Sequence, residues 1–320
     1  MREITNTPEI VCFGEILWDI FPDGKRIGGA PFNVAYNLSK MGVDSHMISR
    51  IGNDPLGNEL LEVTKDRKMN PAGLQIDDVN ATGTVIATFD EHNDAIYDIV
   101  NDVAWDHIAL TENDLHFVKE AKAFVFGSLA TRNKVAKNTL FSLMENAKFN
   151  VFDINLRPPF IDQKIIKDIL HHTHLAKFNK AELRMVLEFI DKEYTTEAES
   201  IKYVQDYFEL NEIIVSKGSK GAIYYKDDEH YQFPAVPITI NDTVGSGDSF
   251  LAGFLTKRIN QKDPFETMEH ATALGAFITS SKGACPEYTL EDFELFKQKH
   301  PTDYTSVITN MKKLHDEYSK

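Results

Sequence analysis

Short apolar runs alternate with amphipathic stretches along most of the chain, and this alternation limits the choice of folds more than any other feature. The first run, residues 10–17, is mostly apolar, as expected of a strand buried on both faces of a parallel sheet. Similar runs occur at 123–126, 150–152, 175–178 and 213–215, and the stretches 134–147, 180–189 and 198–208 are typical of helices. The alternation predicts βαβ units and a three-layer α/β sandwich with a mostly parallel central sheet.

Proline and glycine residues mark several helix ends. Pro31 at a first helical position and Gly42 beyond the last one predict a helix over residues 31–41. Three further helices are predicted near the C-terminus, at 264–281, 290–299 and 303–318. We expect these helices to complete a single domain that spans residues 1–320.

One region interrupts the alternation. Residues 84–89 and 95–100 are β-rich, are separated by the turn-like stretch 90–94 and flank no helix, so they predict a hairpin. Residues 18–26, with a turn at 22–24, add a further strand to it. The sequence therefore predicts a small β-sheet, formed by about 18–28 and 83–101, that stands off the main sheet.

Charge and composition exclude several classes of partner. The 320 residues carry 49 acidic and 34 basic side chains, a formal charge of −15, which disfavours binding to nucleic acid or to an anionic membrane. The chain has no apolar leader and no apolar run of about 18 residues, so we expect a cytoplasmic protein without a membrane span. The two cysteines are predicted to be buried. Because the net charge is negative, an anionic ligand must be met by local positive charge or by a metal ion.

Such an anion site is predicted where a glycine-rich turn runs into an apolar helix, at residues 241–253. Gly245 and Gly247 allow the backbone to approach a ligand closely, and the N–H groups of the following helix point at the same place. Asp248 would repel an anion there unless it acts as a base for an attacking hydroxyl group. Phosphoryl transfer to an alcohol needs this combination, and an ordinary capped helix is the alternative.

Two common nucleotide motifs are absent from this segment and from the rest of the chain. The sequence contains no Gly-x-x-x-x-Gly-Lys-Ser/Thr P-loop. Phe250 stands where a dinucleotide fingerprint has its third glycine, which argues against an NAD-dependent oxidoreductase.

Residues 242–253 resemble the C-terminal signature of the ribokinase-like (PfkB) sugar kinases, and residues 28–35 resemble the N-terminal one. Between them, 153–158 is similar to the family's Asp-x-Asn-x-Arg segment and 179–182 to its Asn-x-x-Glu motif. Residues 216–221 and 282–284 stand where the family has its nucleotide loop and the end of its active site. The resemblance covers residues from about 11 to 286, and it implies a ribokinase-like fold in which the small sheet is a lid.

The resemblance assigns the catalytic and sugar-binding residues. Asp248 is the base, and the amides of Gly245, Ser246 and Gly247 form an anion hole that Arg157 assists. The sugar is bound by Asp19, Gly28, Gly29, Asn33, Tyr97, Arg157 and Asp248. Taken alone, Asp19 is equally a turn former at the end of the first strand, where it is preferred to Glu15, and a surface residue is the less favoured alternative for Arg157.

The nucleotide and metal sites also follow from the resemblance. ATP is expected against Asn179, Ser216, Gly218, Ser219, Gly221, Gly245 and Gly247. Mg²⁺ is expected near Asn179 and Glu182, although an Asn N-cap with Glu three residues later has the same sequence. K⁺ is expected at Asp242 and at the backbone near Val244 and Gly283.

Within this family the chain looks most like the fructokinases, through residues 28–35, 82–84, 104–106 and 127–130 and the lid residue Tyr97. We therefore expect ATP-dependent phosphorylation of the primary hydroxyl of a ketohexose, D-fructose to fructose 6-phosphate. Phe32 departs from the usual motif near the sugar. A 2-keto-3-deoxygluconate kinase, another PfkB-type sugar kinase and a non-catalytic sugar-binding regulator are the alternatives. A homodimer formed through the lid is also expected, because the lid leaves strand edges to be covered.

Overall fold

A computed structural model describes residues 7–89, 95–227 and 229–309 of the chain. The strands are β1 (Ile10–Phe13), β2 (Leu17–Phe21), β3 (Gly24–Gly28), β4 (Ser45–Gly52), β5 (Leu74–Asp77), β6 (Thr84–Phe89), β7 (Ala95–Ile99), β8 (Ala123–Gly127), β9 (Asn150–Asp153), β10 (Leu175–Asn179), β11 (Glu212–Ser216), β12 (Ala222–Lys226), β13 (Glu229–Phe233) and β14 (Ile308–Thr309). The helices are α1 (Ala30–Lys40), α2 (Pro55–Asp66), α3 (Glu112–Glu120), α4 (Lys134–Met144), α5 (Gln163–Leu170), α6 (Lys180–Glu188), α7 (Glu197–Phe208), α8 (Ser246–Arg258), α9 (Pro264–Thr279) and α10 (Leu290–Lys299).

Ten of these strands form the central sheet, in the order β14-β13-β12-β11-β10-β9-β8-β1-β4-β5. Every neighbouring pair from β11 to β5 is parallel, and β12, β13 and β14 extend the sheet at one edge as antiparallel strands. The mostly parallel sheet predicted from the sequence is confirmed. Because the strands run in the same direction, their carboxyl ends lie along one edge, which is where ligands bind in sheets of this kind.

Helices cover both faces of the central sheet. In β1, Ile10 and Cys12 pack into the core shared with α1, α8 and α9, whereas Val11 and Phe13 pack into the core shared with α3, α4 and α7. All four side chains are fully buried, and burial of such an apolar side chain contributes about 1.5–3 kcal/mol. The predicted three-layer sandwich is therefore confirmed. Both cysteines are free and buried, as predicted.

A separate sheet of four strands, the small sheet, has the order β3-β2-β6-β7. β6 and β7 pair antiparallel, which confirms the predicted hairpin, and β2 and β3 form a second hairpin. The predicted turn at 90–94 lies outside the described residues. β2 pairs in parallel with β6, so the two hairpins make one continuous surface.

Two sequence predictions are wrong, one about where the first strand ends and one about a helix near the C-terminus. The first strand does not run to residue 17 but ends at Phe13, since Gly14 has a φ of +138° and packs against Pro31, and Leu17 already belongs to the small sheet. The helix predicted at 303–318 is absent from residues 303–309, which form a short 3₁₀ turn and β14. The β-branched Ile308 and Thr309 suit a strand and pair with β13. Residues 310–318 lie outside the described part of the chain.

In the described ranges, no helix combines the length and the apolar character needed to cross a lipid bilayer.

Candidate functional site

The N-terminus of α8 lies at the carboxyl edge of the central sheet. Gly245 precedes the helix with a left-handed φ of +74°, and a Cβ atom at this position would overlap Ala284. A glycine is therefore required for the turn. The first amides of an α-helix have no partner within the helix, and the helix dipole adds positive potential at this end. Oγ of Ser246 accepts a hydrogen bond from Thr279 at 2.9 Å, which ties this turn to α9.

Asp248 lies in the first turn of α8 and is partly buried. The side-chain amide of Asn33 donates to its Oδ2 at 2.8 Å and so fixes the orientation of the carboxylate. Burial and the neighbouring Asp153 raise the pKa of Asp248 to about 6, against the lowering effects of Asn33, Lys177 and Arg157. The group is therefore ionised at neutral pH and has the pKa of an effective general base.

Lys177, which the sequence analysis did not assign, lies beneath the same helix terminus. It occupies a buried position in β10 and forms an ion pair with the buried Asp153, with 2.7 Å between Nζ and Oδ2. Burial lowers the pKa of Lys177, but Asp153 raises it to a net value above the ordinary one. A Cβ atom on Gly247 would lie 3.3 Å from Nζ, so the absence of a side chain there leaves the helix terminus open to the ammonium group. A lysine within an otherwise apolar strand was the sequence signal for this role.

A first cavity of about 480 Å³ lies between the small sheet and the carboxyl edge of the main sheet. Six of the seven predicted sugar-binding residues line it: Asp19, Gly29, Asn33, Tyr97, Arg157 and Asp248. Gly28 lies behind Asp19 and leaves room for its carboxylate, since an added Cβ would overlap it. Phe32 does not line the cavity, contrary to expectation, because its position in α1 points it into the hydrophobic core, where it is fully buried.

The charged groups of the first cavity influence one another. Burial raises the pKa of Asp19 to about 6, and the guanidinium groups of Arg26 and Arg157 act in the opposite direction. Arg157 itself is exposed and donates to the carbonyl of Leu156 at 3.2 Å. It lowers the pKa of Asp248 as well, so one cation serves both carboxylates.

Glu15 is a second residue of the cavity whose role the sequence did not reveal. Its Oε1 accepts from the backbone N–H of Ala30 at 3.1 Å, at the start of α1, and burial raises its pKa to about 7. Gly29, with a φ of +109°, packs directly against the Glu15 backbone. Glu15 thus holds the glycine-rich entrance to α1 next to the end of β1.

A second cavity of about 650 Å³ lies on the other side of the α8 terminus. It is lined by all the residues predicted to bind the nucleotide except Gly245: Asn179, Ser216, Gly218, Ser219, Gly221 and Gly247. Apolar side chains, including Val236, Ile238 and Phe250, complete its wall. The two cavities share Asn179, Ser216, Thr243 and Gly247, so they meet at the helix terminus, and Asp248 is on the side of the first cavity.

Asn179 and Glu182 form a capping box at the start of α6. Oδ1 of Asn179 accepts from the amides of Ala181 and Glu182, and Oε2 of Glu182 accepts from the amide of Asn179 at 2.7 Å. Oε1 of Glu182 also accepts from Leu156 at 3.1 Å. These bonds correspond to the structural alternative left open by the sequence. Because backbone amides already occupy these oxygens, the pair fits a hydrated Mg²⁺ reached through water better than an ion bound directly.

Asp242 joins two loops beside the helix terminus. Its Oδ1 accepts from the amide of Val244 and its Oδ2 from the amide of Gly283, each at 3.0 Å. Gly283 has a φ of +76°, and the Val244 side chain is exposed. The Asp242 carboxylate is thus held against the backbone of Val244 and Gly283, and the Val244 side chain makes none of these bonds.

Comparison with known proteins connects this geometry to a family. The sequence model of the family described as pfkB family carbohydrate kinase matches residues 6–289 of this chain. A probable fructokinase-6, chloroplastic, of Arabidopsis thaliana is 26% identical over 310 residues, which cover 88% of this chain and 79% of that protein.

Two solved structures share the fold. A fructokinase with bound ATP from Xylella fastidiosa superposes with a TM-score of 0.81 at 18% identity, over 91% of this chain and 98% of the other. A fructokinase from Vibrio cholerae O395 in a fructose, ADP and calcium ion bound form gives a TM-score of 0.77 at 23% identity, over 91% and 99% of the chains.

The hydrogen bond from Asn33 yields a prediction about the pKa of Asp248. Because this bond stabilises the carboxylate, we expect Asn33→Ala to raise the pKa of Asp248 above its value of about 6. The rate of a reaction in which Asp248 accepts a proton should fall below that pKa, and this acid limb should move to higher pH in the variant. Titration of the Asp248 carboxyl carbon by NMR measures the shift. An unchanged or lower pKa in Asn33→Ala would contradict this account.

Proposed function

The chain belongs to the pfkB family of carbohydrate kinases, and from this premise we propose that it transfers the γ-phosphoryl group of ATP to the primary hydroxyl of D-fructose, forming fructose 6-phosphate. One observation carries the proposal: two cavities of suitable size meet at the N-terminus of α8, with Asp248 on the side of the first. Sugar in the first cavity and ATP in the second would face each other there. The three related proteins described above are named as fructokinases, which supports the choice of sugar.

The chain's own groups provide a base and an anion site for this reaction. Asp248 accepts the proton of the attacking hydroxyl, whose oxygen forms the new bond to the γ-phosphorus as the bond to ADP breaks. Asn33 holds the carboxylate in place. The amides at Gly245 to Gly247, the Lys177 ammonium and Arg157 meet the negative charge on the transferred group. Asp19 and Asn33 are proposed to bind sugar hydroxyls.

Metal ions belong to the proposal. Mg²⁺ neutralises charge on the phosphates when it is bound, and Asn179 and Glu182 would hold it through water. A cytoplasmic location is also proposed, since the reaction consumes ATP.

The charges of the first cavity favour a neutral sugar over an acidic one. Its lining carries five carboxyl groups, those of Glu15, Asp19, Asp153, Glu182 and Asp248, against the two cations Arg157 and Lys177. Lys177 is already paired with Asp153. A sugar carboxylate would therefore meet more carboxyl groups than cations, which disfavours 2-keto-3-deoxygluconate.

The substrate is tested with a panel of sugars in a coupled assay of ADP release. We expect fructose to be phosphorylated with a higher kcat/KM than 2-keto-3-deoxygluconate and other ketoses. A higher kcat/KM for the sugar acid would overturn the choice of fructose, and turnover of no sugar would support a non-catalytic regulator.

Asp248→Asn tests the catalytic role within the same assay. The substitution keeps the shape and the helix-capping ability but removes the base, so we expect kcat to fall by roughly 10²- to 10⁴-fold. Fructose binding, measured by calorimetry, should survive. A loss under about fivefold in the folded variant would reduce Asp248 to an ordinary helix cap.

We also propose that K⁺ binds at Asp242 and the backbone near Val244 and Gly283, where it would hold the two loops at the helix terminus. The proposal is supported by the Asp242 hydrogen bonds that already join these loops. At fixed ionic strength the rate should be higher in K⁺ than in tetramethylammonium, which is too large for a site of this kind. Equal rates in the two salts would remove the site.

A homodimer through the small sheet is proposed as well. β3 and β7 are the edge strands of this sheet, and Ile86, which does not line the first cavity, is 42% exposed. A second copy is the simplest cover for these groups. Sedimentation velocity at micromolar concentration should show a dimer that Ile86→Lys weakens, whereas a fully active wild-type monomer would count against it.

A further inference from the structure

A buried charged cluster lies outside both cavities, at the base of the β6–β7 hairpin. Nε and Nη2 of Arg132 donate to the two carboxylate oxygens of Asp106, each at 2.7 Å. The guanidinium stacks on the Trp105 ring with 4.0 Å to its centroid. The side chains of Arg132 and Asp106 are only 5% and 2% exposed. A planar, two-pronged and stacked arrangement of this kind is specific to arginine.

The cluster contacts both chain segments that join the hairpin to the main body. Nη2 of Arg132 also donates to the carbonyl of Val100, the residue after β7, at 2.7 Å. Gly83, the residue before β6, packs on the Trp105 indole so closely that an added Cβ would overlap it. The cluster is therefore an anchor for both ends of the hairpin.

What the anchor supports is one wall of the first cavity. Val85, Tyr97 and Ile99 of β6 and β7 line this cavity, whereas Arg132, Asp106 and Trp105 line neither cavity. None of the hairpin residues that the structure describes lines the second cavity. A change in the anchor would thus alter the wall of the first cavity by displacing the hairpin. It would not alter the lining of the second cavity.

We propose that Arg132 is a positioning residue for the sugar: its guanidinium fixes the base of the β6–β7 hairpin against the main body and so sets the affinity for the sugar. The inference rests on the proposed function only in taking the first cavity as the sugar site. If Arg132 served only general stability, its replacement would weaken the binding of sugar and of ATP alike. A rise in the KM for the sugar without an equal rise in the KM for ATP therefore distinguishes a positioning role from a general one.

Arg132→Lys keeps the charge but cannot make the two-pronged bond, the bond to Val100 and the stacking together. We expect the KM for fructose to rise by roughly tenfold while the KM for ATP changes by less than about twofold. Equal rises in both KM values, or no rise for the sugar, would overturn the proposal.

Arg258→Lys is the matched control. Arg258 also makes a two-pronged pair with a buried carboxylate, that of Glu212, and lies 5.2 Å from the Phe149 ring, but it is at the far end of α8. It should lower stability to urea as Arg132→Lys does, and it should leave the KM for fructose unchanged. A rise in that KM equal to the rise in Arg132→Lys would mean that loss of stability alone explains the effect.

Hydrogen–deuterium exchange provides a readout that does not need turnover. Residues 84–88 and 97–100 should exchange faster in Arg132→Lys than in Arg258→Lys or wild type, and unchanged exchange there would contradict the anchor. If wild type does not phosphorylate fructose but this local increase is seen, the anchor stands and the proposed substrate falls. Gly83→Ala, which displaces the indole from the other side, should reproduce the pattern and provides the test if Arg132→Lys does not fold.

Discussion

The left-handed turn at Gly245 is the constraint on which the site depends. It lets α8 begin directly against Ala284, where no side chain at position 245 would fit. As a result the first turn of the helix lies where the two cavities meet, and Gly247 lines both of them. Asp248 is then carried by the first helical turn into contact with Asn33 of α1. Any shift of this turn would move Asp248 and the helix terminus relative to the walls of both cavities.

The buried cation Lys177 lies at the helix terminus where an anion is proposed to bind, although the protein as a whole is strongly acidic. The formal charge of −15 would repel a polyanion at long range. Beneath the helix terminus, however, the buried Lys177 remains charged because Asp153 compensates for its loss of water. An ion pair in such a place contributes little net stability, since desolvation offsets the attraction between the charges. The ion pair therefore contributes to the electrostatic potential near Gly247 more than to the stability of the fold.

The sequence was sufficient for the architecture because the signals were local. Buried strands, helix ends and the β6–β7 hairpin each follow from the period and composition of a few residues. The errors arose where distant contacts decide the structure. Gly14 ends β1 early through packing against Pro31, and the short β14 forms because β13 offers it an edge. Neither contact is visible in a short stretch of sequence.

The residues of the candidate site also fall into those that local motifs indicate and those that distant contacts bring in. Motifs singled out Asp248, Asn33 and the two glycine-rich segments, which the structure brings to the two cavities, because family signatures require particular residues at particular spacings. Lys177 and Glu15 were missed since their roles come from burial beside groups far away in the chain. Phe32, which was expected near the sugar, does not line the cavity for a related reason: the turn of α1 directs its side chain into the core. The Arg132 anchor, built from side chains 26 residues apart, is likewise a property of the fold.

The pKa of Asp248 also shows why the cations around it are necessary. Asp153 already raises this pKa by charge repulsion, and a phosphate group brought to the helix terminus would raise it further for the same reason. A higher pKa makes a stronger base but leaves less of it ionised at neutral pH. Asn33, Lys177 and Arg157 act in the opposite direction and keep the carboxylate ionised. Lys177 and Arg157, the cations that would attract the anion, therefore also keep Asp248 ionised when the anion raises its pKa.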